Sequence, residues 1–103
     1  MTASEIFATN LRQFRVMAGI TQKELADMIG IDKTAISLWE TQKSNPSLFN
    51  IENAAIALGV PITRLLDKDI AELIKKGALK YDVRQEKKRR IYEQSYTDRQ
   101  TGK

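Results

Sequence analysis

The sequence predicts an all-α fold: five short helices packed into one small domain, followed by a basic extension. Three observations carry this expectation. Two helix-start signals follow one another between Ile20 and Ile36, each with a capping residue and a flanking apolar staple. Apolar residues recur at three- and four-residue steps through most of residues 1–66, the spacing of one helix face. Glycines stand where such stretches must stop, at Gly19, Gly30 and Gly59.

In chain order, Ser4 is expected to cap a first helix that runs to about Met17 and ends at Gly19. Ile6 or Phe7, then Leu11, Phe14 and Ala18, form its core stripe, and Arg15 lies beside it. Thr21 and Glu24 make a capping box for the second helix, with Ile20 stapled onto Leu25. Gly30 ends that helix. Asp32 caps the third, and Ile31 packs on Ile36. Lys43-Ser44-Asn45-Pro46 is a loop by composition. Ser47 then caps a fourth helix, whose expected apolar face is Leu48, Ile51, Ala54, Ala55 and Leu58. Val60-Pro61 opens a fifth, with Pro61 in its first turn and Leu65 and Leu66 facing inward. The expected core is Leu25, Ile29, Ile36, Trp39, Ile51, Leu58 and Leu65.

Residues 67–103 form the extension. Asp67 or Asp69 caps a sixth helix carrying Ile70, Leu73 and Ile74 and ending near Gly77. Leu79, Tyr81 and Val83 alternate with Lys80, Asp82 and Arg84 at strand period, a basic run follows through Arg90, and Ile91–Tyr96 fits a second strand. A hairpin, a further helix and a disordered tail all fit this stretch. A lone hairpin is marginal in water, so an ordered one is expected to join two subunits.

The chain of 103 residues has no cysteine and no histidine, which excludes disulfides, zinc fingers and imidazole catalysis. Cysteine-free composition fits a reducing cytoplasm. No apolar run approaches the ~20 residues of a membrane span, so no membrane partner is expected. No nucleophile–base pair, metal-ligand cluster or glycine-rich phosphate loop is present, so neither enzyme chemistry, nor a cofactor, nor a metal is expected. The net charge of +4 is unevenly placed. Residues 1–66 hold six bases (Arg12, Arg15, Lys23, Lys33, Lys43, Arg64) and six acids (Glu5, Glu24, Asp27, Asp32, Glu40, Glu52), so the whole excess lies in the extension.

Helix, short turn, helix over Thr21–Thr41 is the unit whose second helix enters the major groove of DNA. At 3.6 residues per turn, Lys33, Thr34, Ser37, Leu38 and Thr41 share one flank of that second helix, while Ala35, Ile36, Trp39 and Glu40 share the other. The first flank offers donors, acceptors and a leucine suited to thymine methyls. Taken alone, it is equally a solvated helix face.

The run from Gly19 to Leu66 resembles the Cro/phage-repressor type of helix-turn-helix regulators, the Xre family. T-Q-K-E-L-A, G-I, A-I-S-L-W-E, N-P-S, A-L-G-V-P and L-L stand in family order and spacing, within the first two-thirds of the chain. One departure is Gln42, where the family usually has glycine; the loop after the reading helix is expected to run differently there. The resemblance implies a repressor-like helix-turn-helix domain over 1–66 and a sequence-specific regulator, a homodimer on a near-palindromic operator in double-stranded DNA. It implies base contacts from Lys33, Thr34, Ser37 and Leu38, and phosphate contacts from Gln22, Lys23, Lys43, Ser44 and Asn45 with the start of the fourth helix. It also implies a structural ion pair between Arg15 and Glu40. Lys23 and Lys43 serve solubility equally well, and a contact with its own chain or a dimer mate is the lesser alternative for Leu38. A second reading makes the protein an antitoxin-like module, whose extension wraps a protein partner and stays disordered until bound.

Overall fold

The computed structural model describes residues 1–77, which form six helices. These are α1 (Ala3–Ala18), α2 (Gln22–Ile29), α3 (Lys33–Glu40), α4 (Leu48–Leu58), α5 (Ile62–Leu65) and α6 (Lys68–Lys75). The stretch read as a hairpin, Leu79–Tyr96, lies outside the described residues. No helix among the described residues is long and apolar enough to cross a membrane.

Helix α1 begins earlier than expected. Its N-cap is Thr2, whose hydroxyl accepts from the Glu5 amide at 3.1 Å; Ser4 lies inside the first turn. Thr2-Ala3-Ser4-Glu5 has the same three-residue spacing of cap and acid as Thr21–Glu24, so the signal was present in the sequence. At α2 the box closes in both directions: the Glu24 amide donates to the Thr21 hydroxyl at 3.0 Å, and the Thr21 amide to the Glu24 carboxylate at 2.8 Å. Ser47 caps α4 and Asp67 caps α6 through their side-chain oxygens.

Helix α1 runs against α3, α4, α5 and α6, while α2 packs on α3 and α4. The core they enclose contains Phe7, Leu11, Leu25, Ile36, Trp39, Ile51, Leu58 and Leu65, with Phe14, Ala18, Ile20, Ile29 and Ile31 packed around it. Phe7 meets Trp39 edge-on, ring centres 6.3 Å apart, a geometry that suits the aromatic quadrupoles.

Two leucines expected inside, Leu48 and Leu66, are outside, and Leu73 of α6 is outside as well. Leu48 is 76% exposed, Leu66 41% and Leu73 47%. Leu48 is the first helical residue of α4, and a side chain there leans back toward the loop rather than down onto the core. Leu66 follows the end of α5, and its predecessor Leu65 fills the inward position. Helix α6 docks through a narrow stripe centred on fully buried Ala71, which leaves Leu73 on its flank.

One buried polar residue has no counterpart in the sequence reading. Asn10 is fully buried on α1, and its Nδ2 lies 3.2, 3.2 and 3.0 Å from the carbonyls of Arg64, Leu65 and Asp67. It thereby ties the end of α5 and the start of α6 to the middle of α1. A polar residue inside an apolar stripe reads as exposed unless its partners, here more than fifty positions away, are known.

Candidate nucleic-acid interface

Helix α3 is held by its inner side. Ile36 is fully buried and Trp39 nearly so, and at the C-terminal end the Glu40 carboxylate is 3% exposed. That carboxylate receives three hydrogen bonds. Arg15 Nε donates to Oε2 at 2.7 Å, Arg15 Nη2 to Oε1 at 3.1 Å, and Gln22 Nε2 to Oε1 at 3.0 Å. The remaining Arg15 nitrogen donates to the Ile20 carbonyl at 2.9 Å. The bidentate fork and the amide satisfy a buried charge that would otherwise be strongly disfavoured. The network joins three elements: α1 through Arg15, the start of α2 through Gln22, and the end of α3 through Glu40.

The outer side of α3 is left open. Asp32 accepts the Thr34 amide at 3.0 Å and starts the helix; Lys33 and Thr34 are exposed, Ser37 and Leu38 half-exposed. Thr41 is exposed, but its hydroxyl turns back to the Ser37 carbonyl at 2.8 Å. Lys33 takes no carboxylate partner among the described residues. The flank therefore presents one cation, two hydroxyls and one apolar side chain.

The loop after α3 is pinned to the end of the helix: the Leu38 carbonyl accepts from the amides of Lys43 at 2.8 Å and Ser44 at 3.3 Å, and the Trp39 carbonyl from the amide of Gln42 at 3.1 Å. To make that return, Gln42 adopts φ 62°, the one non-glycine residue with positive φ among those described. Glycine adopts this conformation without steric cost, which gives a physical reason for the glycine that the resembled family places here. Lys43 and Asn45 on this loop are exposed and Ser44 is half-exposed. Lys43, like Lys33, has no ion-pair partner among the described residues.

The Gln22–Glu40 bond brings the start of α2 to the same edge as this loop. It uses one of the two N–H donors of the Gln22 amide, so Gln22 can still offer an anion the second of these and its backbone amide, one of the first N–H groups of a helix that lack an intrahelical acceptor. Lys23 lies one residue on, 3.0 Å from Asp27 in an exposed pair of the kind worth little in water. The candidate residues thus fall into two groups: Lys33, Thr34, Ser37 and Leu38 along α3, and Gln22, Lys23, Lys43, Ser44 and Asn45 near its C-terminal edge.

With this geometry in hand, comparison with known proteins is specific. The helix-turn-helix family pattern matches residues 11–65. A Neisseria hypothetical transcription factor from Neisseria meningitidis serogroup B is 46% identical over 61 residues, 59% of this chain and 58% of that protein. The cryptic phage CTXphi transcriptional repressor RstR of Vibrio cholerae is 33% identical over 61 residues, 59% of this chain and 55% of that protein. The chain thus spans somewhat more than half the length of these relatives. Among solved structures, the hypothetical transcription factor NHTF from Neisseria superposes with a TM-score of 0.64 at 39% identity, covering 70% of this chain and 85% of that one. The restriction-modification controller protein C.AhdI from Aeromonas hydrophila gives a TM-score of 0.58 at 32% identity, over 60% of this chain and 94% of its own.

Proposed function

The chain belongs to the helix-turn-helix family of DNA-binding transcriptional regulators, and we propose that it is a cytoplasmic repressor acting as a dimer on a near-palindromic operator. The observation that carries this reading is the division of α3 into two flanks. Its inner flank is fastened by core packing and by the Arg15–Glu40–Gln22 network, while Lys33, Thr34, Ser37 and Leu38 stay accessible on the outer one.

In this reading Lys33 donates to guanine O6 and N7, Thr34 and Ser37 exchange hydrogen bonds with base edges, and Leu38 rests on thymine methyls. Lys43, Ser44 and Asn45 hold the flanking phosphates, joined by the first backbone amides of α2 and by Lys23. Phosphate contacts set the register of the helix on the duplex, and the four α3 side chains choose the sequence. The neutral charge balance of residues 1–66 makes one copy a weak binder. Two linked copies gain affinity through effective concentration, and their two-fold symmetry is mirrored in the operator.

Selection of bound fragments from a random DNA pool tests this. The expected product is an enriched motif with two inverted half-sites centred about one helical turn apart, or a multiple of that. A motif without inverted symmetry contradicts the dimeric reading, and the absence of any enriched motif contradicts sequence-specific recognition.

A further inference from the structure

A recess of about 290 Å³ opens where α1, α6 and the end of α3 meet. Arg12 and Gln13 line it from α1, Ile74 and Lys75 from α6, and Glu40 and Gln42 from α3 and the loop after it. Its volume stands at the lower end of the range of small-molecule sites, about 300–1,000 Å³. Two features distinguish it from an ordinary gap between helices. The side-chain nitrogen of Gln13 is buried with no hydrogen-bond partner among the described residues, and an orphaned buried donor needs an explanation. Next to it in sequence, Arg12 is exposed and pairs with no carboxylate among the described residues.

We infer that this recess binds a small organic monoanion, a carboxylate carrying a short apolar body. Arg12 supplies the planar fork of donors that matches a carboxylate. Gln13 supplies a further donor: the last torsion of a glutamine is soft, and turning its amide nitrogen toward an acceptor breaks no existing bond. The charge balance of the lining favours one negative charge over two. Lys75 lies 2.9 Å from Glu5, and Glu40 is bonded to Arg15, so Arg12 is left as the uncompensated cation of the lining. Ala8 and Ile74 give the recess an apolar part for the body of the ligand. Such an occupant touches both Glu40, which fastens α3, and Gln42, whose φ of 62° shapes the loop carrying Lys43, Ser44 and Asn45. One consequence rests on the DNA-binding reading above. An occupant packed on Gln42 favours this loop conformation and so tightens operator binding, and by linkage the operator tightens the ligand by the same factor.

Titration of the full chain with sodium benzoate, followed through side-chain resonances in NMR, tests the site. Benzamide serves as the neutral isostere, and sodium chloride holds the ionic strength constant. Benzoate should shift the Gln13 amide and the Arg12 guanidinium saturably, with half-saturation near about 1 mM, and benzamide should bind at least about tenfold more weakly. Arg12→Gln should weaken benzoate by about tenfold or more, and Gln13→Met by several-fold. Arg12 is exposed, so the Trp39 melting curve of Arg12→Gln should match that of the parent. Saturating benzoate should tighten operator binding by about fivefold or more. Equal, non-saturating shifts with benzoate and benzamide would overturn the site, leaving solvent and adventitious ions only in the recess. Saturable binding that neither variant weakens would place the ligand elsewhere and overturn it too. Binding lost in Arg12→Gln, with operator affinity unchanged by benzoate, would overturn the coupling to DNA. The titration needs no DNA, so failure of the DNA-binding reading shows separately, as a chain that takes up benzoate and enriches no DNA motif.

Discussion

Replacing Glu40 with Gln should destabilise the domain severely, and the structure indicates by how much. The Glu40 side chain is 3% exposed and Arg15 11%, so the fork between them is sheltered from water. The variant keeps one acceptor oxygen but loses the charge, and its new amide donor faces the Arg15 donors that now bond to Oε1 and Oε2. What remains is a guanidinium whose other protein acceptor is the Ile20 carbonyl. Removing one member of a buried pair costs roughly 3–5 kcal/mol, and retention of one oxygen puts this case at about 3 kcal/mol. In a domain of this size each kcal/mol lowers the melting temperature by about 4–8 °C, so a fall of roughly 15 °C is expected. Trp39, buried next in sequence to Glu40, reports unfolding by fluorescence in urea or heat. Since the cost arises from the orphaned charge, Arg15→Met combined with Glu40→Leu should be more stable than either single variant. A Glu40→Gln protein that melts within a degree of the parent would refute the argument, because the pair would then behave as a solvated surface contact.

Three further outcomes concern other elements. Gln42→Gly should stabilise the domain by about 1 kcal/mol by relieving the left-handed backbone, seen as a higher urea midpoint; an unchanged or lower midpoint would show that φ 62° carries no strain. Asn10→Ala strands the carbonyls of Arg64 and Leu65, while that of Asp67 keeps the Ala71 amide at 3.2 Å, and should cost about 2–3 kcal/mol; a near-parental midpoint would mean that the two stranded carbonyls find other partners. Helix α6 is joined to α1 by Lys75 and Glu5, 2.9 Å apart, where the hydrogen bond from Lys75 and then its charge hold the Glu5 carboxyl below its ordinary 4.5. The folded form therefore binds a proton less readily than the unfolded one. The contribution is whole above the ordinary value and is lost as pH falls through the lowered one. Protection of α6 amides, taken relative to their intrinsic exchange rates, should fall selectively on that acid limb, and Glu5→Gln should abolish the selectivity; an equal loss of protection throughout the domain would assign the acid response elsewhere.

Where local chemistry decides a structure, the sequence is legible. Thr21 with Glu24, Asp32, Ser47 and Asp67 each stand directly before a helix and accept one of its first amides. The core positions Leu11, Leu25, Ile36, Trp39 and Leu65 follow from spacing alone, whereas spacing allows Ile6 or Phe7 and the fold buries Phe7. Legibility fails at helix ends and wherever a partner is remote. Leu48, Leu66 and Leu73 are apolar and near a core stripe, but the helix start, the helix end and the narrow docking of α6 turn them outward. Asn10 is polar and hidden because three carbonyls from a distant segment reach it.

For the interface, periodicity alone divides α3 into two flanks, whereas the partnership of Arg15 with Glu40 is suggested only by resemblance. Nothing local in the sequence indicates that Gln22 turns its amide to Glu40, since that contact depends on how α2 crosses α3. On α4, spacing already sets Phe49 and Ile56 apart from the face of Ile51, Ala54, Ala55 and Leu58, and the fold leaves both exposed.

The most direct test of the central claim, that the outer flank of α3 reads DNA sequence, is the ratio of specific to non-specific affinity for Lys33→Ala against Lys43→Ala across a salt series. Lys33→Ala should lose about 1–3 kcal/mol of operator binding while non-specific binding falls much less, so the ratio drops. Lys43→Ala should weaken both about equally and flatten the salt dependence, as expected for a phosphate contact. A Lys33→Ala protein that keeps the parental ratio, losing affinity for all sequences alike, would contradict the assignment of the reading face.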